Sequence, residues 1–159
     1  MRLFGRSLVV AALAASLLGL ASCSSTVSIP PAPDANNPLC ADVSVRLPKV
    51  VDGMQRRWTD AQATGAWGDP TTVILACGVM PPGPTTLECV TIEGVDWIID
   101  PSDEPNYRFT TYGRTPAVEV FLTYDPATTS SAEVLRAFTS AVSGLPVDGQ
   151  CTARGGEDS

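Results

Sequence analysis

One short segment of the chain concentrates four carboxylates: Asp96, Asp100, Asp103 and Glu104. Two such groups can act as general acid and base, and carboxylate oxygens can ligate calcium. The spacing of a calcium loop is absent, however, and a hydrolase also needs its two acids at a set distance across a cleft, which sequence does not show. We therefore expect a solvated acidic loop at 100–106 and no metal site.

A second set of candidates joins three aromatic rings and one guanidinium, all beside glycine-containing turns: Trp67, Trp97, Tyr112 and Arg114. Such rings can stack on a sugar or pack on a partner, and the guanidinium can bind a carboxylate or phosphate in a forked geometry. Alternatively, the tryptophans fill the core of a small domain and Arg114 pairs with Glu119 or Asp96. We take the four residues as weak binding candidates, because binding groups favour turns held by a rigid scaffold.

The sequence contains no histidine, and Lys49 is its single lysine. Catalytic triads, Cys-His dyads, histidine-ligated metals and histidine proton relays are therefore excluded. No Ser-x-x-Lys motif and no glycine-rich phosphate loop is present either. We predict that the protein is not an enzyme and that it uses no cofactor.

The chain is acidic, with a formal net charge of −7. The segment 1–22 contributes two arginines and no acid, so its removal would leave a charge of −7 − 2 = −9. A charge of this sign disfavours nucleic acid as a partner and disfavours a peripheral grip on anionic lipid.

The first 23 residues resemble a bacterial lipoprotein signal. Arg2 and Arg6 form a basic start, an apolar run follows, and Leu20-Ala21-Ser22-Cys23 resembles a lipobox. The apolar run is too short for a typical transmembrane helix. The resemblance implies cleavage before Cys23, a diacylglyceryl thioether on its sulfur, and anchoring to the outer face of the cytoplasmic membrane. The alternatives are an uncleaved anchor or a plain signal peptide in which Cys23 is incidental.

Four further cysteines follow: Cys40, Cys77, Cys89 and Cys151. An even number in an exported chain predicts two disulfides, for which three pairings exist. We favour Cys77 with Cys89, because a short Pro-Gly connection would place them on neighbouring strands, and Cys40 with Cys151, which would tie the ends of the domain. A four-cysteine zinc site is disfavoured because no Cys-x-x-Cys spacing occurs.

Composition divides the chain into a signal peptide, a tether, one domain and a polar tail, at 1–22, 23–37, 38–151 and 152–159. The tether carries the lipidated cysteine and three prolines. In a polyproline-like form it would reach roughly 40 Å, which would hold the domain clear of the membrane. The alternative is that this segment docks on the domain.

The domain is expected to be α+β. A short helix should begin at Pro38 with Asn37 as its N-cap, and a longer one at the capping box Ser130-x-x-Glu133. Alternation and apolar runs predict strands at 73–77, 87–92, 95–99, 108–112 and 118–124. We therefore expect an antiparallel sheet of about 4–6 strands with both helices on one side. Residues 49–66 show no clear pattern.

Four motifs together resemble an actinobacterial family of exported proteins known as domain of unknown function 3515: Trp67-Gly68-Asp69-Pro70, Cys77-Gly78-Val79, Gly94-Val95-Asp96-Trp97 and Tyr112-Gly113-Arg114-Thr115-Pro116-Ala117-Val118. The resemblance extends from about Leu39 to Leu145. It implies an actinobacterial envelope lipoprotein without an assigned activity, so it assigns no site residues.

Together these features predict a membrane-anchored lipoprotein that acts as a non-enzymatic binding or assembly module. Its partners would be the membrane, through the lipid, and an envelope protein or a cell-wall component. The alternative is a hydrolase or lyase of cell-wall polymers that uses carboxylates alone. We expect the turn residues to lie closer to any partner than the helix at 130–142 does.

Overall fold

Two helices and eight strands make up residues 25–152, the part of the chain that this computed structural model describes. The helices are α1 (Pro38–Val45) and α2 (Ser131–Val142). The strands are β1 (Val50–Val51), β2 (Met54–Arg57), β3 (Thr64–Trp67), β4 (Val73–Val79), β5 (Glu88–Ile92), β6 (Val95–Asp103), β7 (Asn106–Thr111) and β8 (Ala117–Thr123). The expected signal peptide, the expected lipidation site Cys23 and most of the polar tail lie outside the described residues.

Both helices begin where the capping residues predict. The Asn37 side chain accepts a hydrogen bond from the Leu39 amide at 3.0 Å, and Pro38 occupies the first turn of α1. The Ser130 hydroxyl accepts from the Glu133 amide at 3.4 Å. Each cap satisfies an amide that has no partner within its helix. Neither helix of residues 25–152 is long and apolar enough to cross a membrane.

The strands form one antiparallel sheet in the order β1-β2-β3-β4-β8-β7-β6-β5. The α+β class and the antiparallel sheet are confirmed, but the expected 4–6 strands are too few, since residues 25–152 contain eight. The extra strands β1, β2 and β3 are short, and all four residues of β3 are buried, so no alternation marks them. The expected acidic loop at 100–106 is also wrong, because β6 continues to Asp103, which pairs with Asn106.

One face of the sheet, the inner face, carries the core and packs on the helices. Cross-strand neighbours such as Leu75, Val120 and Phe109 are buried there. Helix α2 contributes Phe138, whose ring meets Trp67 edge-on with centroids 5.0 Å apart. Because α2 contacts both edge strands, β1 and β5, the sheet must curve around this helix.

The disulfides join Cys40 to Cys77 and Cys89 to Cys151, so the expected pairing is wrong. It assumed that the strands of Cys77 and Cys89 are neighbours. In the sheet, β8, β7 and β6 separate β4 from β5. Cys77 instead lies on the inner face and forms its disulfide with Cys40 of α1. Cys89 forms its disulfide with Cys151, in the segment that follows α2.

The described part of the expected tether, 25–37, lies against the domain. The Val27 amide donates to the Trp58 carbonyl at 2.8 Å, and the Ile29 amide donates to the Asp60 carboxylate at 2.9 Å. Ile29 and Ala35 are buried. Hydrogen bonds from Ser28 and from the Ile29 amide hold the pKa of Asp60 below its usual value. Residues 25–37 therefore pack against the domain, as the alternative interpretation expected, and do not form a free tether.

Candidate functional site

The two tryptophans expected at a binding surface lie in the core. Trp67 and Trp97 are both 0% exposed on the inner face. The Trp67 indole N–H donates to the Pro48 carbonyl at 3.1 Å, which satisfies its polar atom inside the fold. Shielded rings offer no face to a ligand, so their assignment to a binding surface is corrected.

Arg114 is also buried, and it caps α2 rather than facing solvent. Its Nη1 donates to the carbonyls of Val142, Ser143 and Leu145 at 3.4, 3.3 and 2.9 Å, and its Nη2 donates to Gly94 at 3.3 Å. A cation is favourable at a helix C-terminus, where carbonyls lack partners. Burial lowers the pKa of Arg114, yet a guanidinium stays protonated in proteins. The expected role of Arg114 as a binding group is therefore corrected to a structural one.

The carboxylates of Asp96 and Asp100 in β6 accept hydrogen bonds from groups close to them in the fold. The Asp96 carboxylate accepts from the Thr91 hydroxyl at 2.6 Å and from the Cys151 amide at 2.7 Å. Asp100 accepts from the Ser102 amide at 2.9 Å, and hydrogen bonds from Ser102 lower the pKa of Asp100. A general acid needs a raised pKa instead. Within 25–152, no three acidic, cysteine or histidine side chains cluster as a metal site would require.

A groove of about 770 Å³ runs along edge strand β5 on the outer face of the sheet. We call it the β5 groove, and its lining residues are Thr85, Thr86, Leu87, Glu88, Cys89, Thr91, Ile98, Tyr112, Cys151 and Thr152. Tyr112 is the one of the four binding candidates that contributes to it, and Cys89 and Cys151 were expected only as disulfide cysteines. Scattered threonines form no recognisable motif, so sequence reasoning missed the other lining residues.

The β5–β6 hairpin forms one wall of this groove. Its two turn residues, Glu93 and Gly94, have φ values of 49° and 78°. Positive φ at both positions is typical of a type I′ turn, which matches the twist of a hairpin. In such a two-residue loop the flanking pair, Ile92 and Val95, exchanges backbone hydrogen bonds. The backbone groups of Cys89 and Thr91 then point outward, away from β6.

The segment that follows α2 forms the other wall. The Asp148 amide donates to the Gly113 carbonyl at 2.8 Å, and the Thr115 hydroxyl donates to the Asp148 carboxylate at 3.2 Å. Gly113 has a φ of 62°, and a Cβ there would overlap the Gly149 carbonyl, so glycine is required at this crossing. The Cys89–Cys151 disulfide then fixes the end of the segment beside β5.

The groove combines hydroxyl groups with a small apolar floor. Four threonines and Tyr112 supply hydroxyls, and Leu87 and Ile98 supply apolar surface. Hydroxyls donate and accept, so they suit an uncharged polar ligand. The outward backbone groups of β5 can in addition pair with an extended chain. The groove therefore presents both hydrogen-bonding and apolar surface to a ligand.

The family described as Protein of unknown function (DUF3515) has a sequence profile that matches residues 6–146, and the chain belongs to that family. No curated protein matches the chain, and neither does any solved structure.

Proposed function

We propose that this member of a family of unknown function is a membrane-anchored envelope lipoprotein that binds a partner in the β5 groove without catalysing a reaction. The observation that carries the proposal is the outer edge of β5, which pairs with no other strand within residues 25–152, beside a hydroxyl-lined groove. A strand edge left uncovered is a ready template for another chain.

Two features support the envelope location. The resemblance of 1–23 to a lipoprotein signal supports export and lipid attachment at Cys23. The two disulfides suit an oxidising compartment outside the cytoplasm. The groove would then face the space in which envelope proteins and cell-wall polymers lie.

An extended segment of an envelope protein fits the groove best. Backbone pairing to β5 would supply affinity, and Tyr112 with the threonines would supply selectivity. Glu88 is the single charged residue of the lining, so electrostatics would contribute little. A cell-wall glycan is the second ligand that hydroxyl groups and a tyrosine ring could accept.

Site-specific photocrosslinking in cells tests the groove. A photoreactive residue at Thr86 should capture a partner, whereas one at Ser140, exposed on α2, should not. Equal capture at both positions would contradict the assignment. If the captured partner is a glycan and not a protein, the β5 groove remains the binding site, but the proposed ligand is wrong.

Proline at the strand edge tests backbone pairing. Thr91→Pro removes an outward amide without breaking the β5–β6 ladder, so it should abolish the Thr86 crosslink. Thr91→Ala is the matched control, since it removes the same hydroxyl but keeps the amide. If both variants still crosslink like the wild type, an added strand is not the binding mode.

The hydrolase alternative depends on Asp96, since among the four carboxylates considered for catalysis it is the one that hydrogen-bonds to groove-lining residues, Thr91 and Cys151. Both of its oxygens already accept hydrogen bonds, which favours a structural role. Incubation of the purified protein with peptidoglycan fragments separates the two proposals. Degradation that Asp96→Asn abolishes, in a protein that stays folded, would establish the enzyme and overturn the binding module.

A further inference from the structure

The opposite edge of the sheet has features of a membrane-facing surface. We propose that Trp58 and the basic β1–β2 edge lie against the anionic headgroups of the same membrane that holds Cys23. This inference rests on the proposed lipid attachment and adds the face of the domain that contacts the bilayer.

The docked N-terminal segment limits how far the domain can stand from its anchor. Val27 is fixed to the domain by hydrogen bonds with Trp58 and Asp60. The Arg57 guanidinium further holds Ser25 by its carbonyl at 3.1 Å. Three residues lie between Cys23 and Val27, and these four Cα–Cα steps span at most about 14 Å of fully extended chain. The bilayer surface therefore lies close to Val27, instead of roughly 40 Å away as a free tether would allow.

Trp58 lies directly beside this attachment point. Its carbonyl accepts the Val27 amide, and its side chain is 76% exposed. The other two tryptophans of the sequence, Trp67 and Trp97, are completely buried. An exposed tryptophan is unusual on a small domain that needs its aromatic rings inside. Tryptophan is enriched at membrane interfaces, where its ring is buried among apolar groups and its N–H reaches headgroups.

The charge of this edge has the sign that anionic lipid attracts. The segment 46–57 holds four of the ten cations of the chain and a single acid, Asp52, although the whole chain has a charge of −7. Arg46, Lys49 and Arg56 are exposed. Of two acids that flank this segment, Asp69 pairs with Arg57 at 3.4 Å, whereas Asp60 accepts from the Ile29 amide and keeps its negative charge. With both acids counted, four cations still outnumber three acids, so this edge is net positive although the whole chain is acidic.

Fluorescence of the lipidated protein, which would begin at Cys23, tests this contact in vesicles. The vesicles contain phosphatidylglycerol with brominated acyl chains. Subtracting the emission of the Trp58→Phe variant from that of the wild type isolates the emission of Trp58. We expect bromine to quench Trp58 and acrylamide access to fall roughly threefold relative to the protein in detergent, because the ring leaves water. Zwitterionic vesicles, and the Arg46→Glu/Lys49→Glu variant, should restore acrylamide access.

Vesicle flotation, measured first, separates the two proposals. Wild-type protein that does not float with vesicles overturns the lipid anchor and this contact with it, and Cys23→Ala is the negative control. Protein that floats while bromine leaves Trp58 unquenched overturns the contact alone. Protection that persists in zwitterionic vesicles and in the charge-reversed variant overturns the role of anionic headgroups.

Discussion

Arg114 shows how a residue suited to ligand binding can serve the fold instead. Its guanidinium meets three carbonyls at the end of α2 and one in the β5–β6 turn. It therefore links the C-terminus of the helix to an edge of the sheet. Sequence shows an arginine in a glycine-containing turn, but it does not show that the turn folds under the end of α2.

Replacing Arg114 by alanine should reduce the free energy of unfolding by about 3 kcal/mol, because buried carbonyls lose charge-assisted donors. Arg108→Ala is the matched control. Arg108 pairs with Glu119 at 3.2 Å on the half-exposed outer face, so its loss should cost less than about 1 kcal/mol. Urea unfolding with intact disulfides measures both. Similar costs for the two variants would contradict the capping role.

Asp60 makes docking of the N-terminal segment sensitive to acid. Its pKa is lowered in the folded protein by hydrogen bonds from Ser28 and Ile29. A lowered carboxyl pKa contributes stability above the unfolded value of 3.8, and that contribution is lost as pH falls through the folded pKa. The Ile29 amide resonance should therefore shift with a midpoint below 3.8, and Asp60→Asn should remove the transition. A midpoint at or above 3.8 would contradict this assignment.

Among the helices and strands, those whose buried residues recur at a regular spacing could be predicted from the sequence. Helix α2 and strand β8 were predictable because their buried residues recur with helical and alternating periods. Strands β1 and β3 were not predictable, because β1 has two residues and all four residues of β3 are buried, so neither shows an alternating pattern. The β5 groove was not predictable either, because its walls come from residues far apart in sequence, such as Thr91 and Cys151.

The crossing of the C-terminal segment over the β7–β8 turn depends on Gly113. A Cβ at this position would meet the Gly149 backbone, and the positive φ adds strain for any other residue. Gly113→Ala should cost roughly 2–3 kcal/mol and should loosen the groove wall. Gly83→Ala, where a Cβ meets no atom within 4 Å, is the control. Thermal unfolding and hydrogen exchange at 147–152 measure the two effects, and equal behaviour of both variants would contradict the prediction.

For the whole molecule, the two disulfides constrain separate parts of the fold. Cys40–Cys77 ties α1 into the core, and Cys89–Cys151 holds the groove together. In the chain-entropy model, loops of 37 and 62 residues contribute about 4 kcal/mol each. Loss of either disulfide should therefore lower the free energy of unfolding by a similar amount. Each loss should disturb a different part of the structure.

Serine replacement of each pair separates these effects. Both double variants should lose about 4 kcal/mol of unfolding free energy. We expect Cys89→Ser/Cys151→Ser alone to abolish the Thr86 crosslink while the core stays intact, because of the two disulfides only Cys89–Cys151 holds a groove wall. Calorimetry and crosslinking provide the two measurements. Loss of the crosslink in Cys40→Ser/Cys77→Ser, in protein that remains folded, would show that the groove is not independent of the core.

The pairing also has a consequence for biogenesis. Along the described chain the cysteines pair in consecutive order, first with second and third with fourth, so the two covalent loops neither nest nor interlock. If the chain is exported and Cys23 is reserved for lipid, as proposed, a polypeptide that leaves the translocation pore N-terminus first exposes Cys77 as the next partner for Cys40, before Cys89 has emerged. The first loop can close before a competing thiol arrives, and the second then forms between the two cysteines that remain. An oxidase acting on the emerging chain can therefore produce the native pairs without reshuffling by an isomerase.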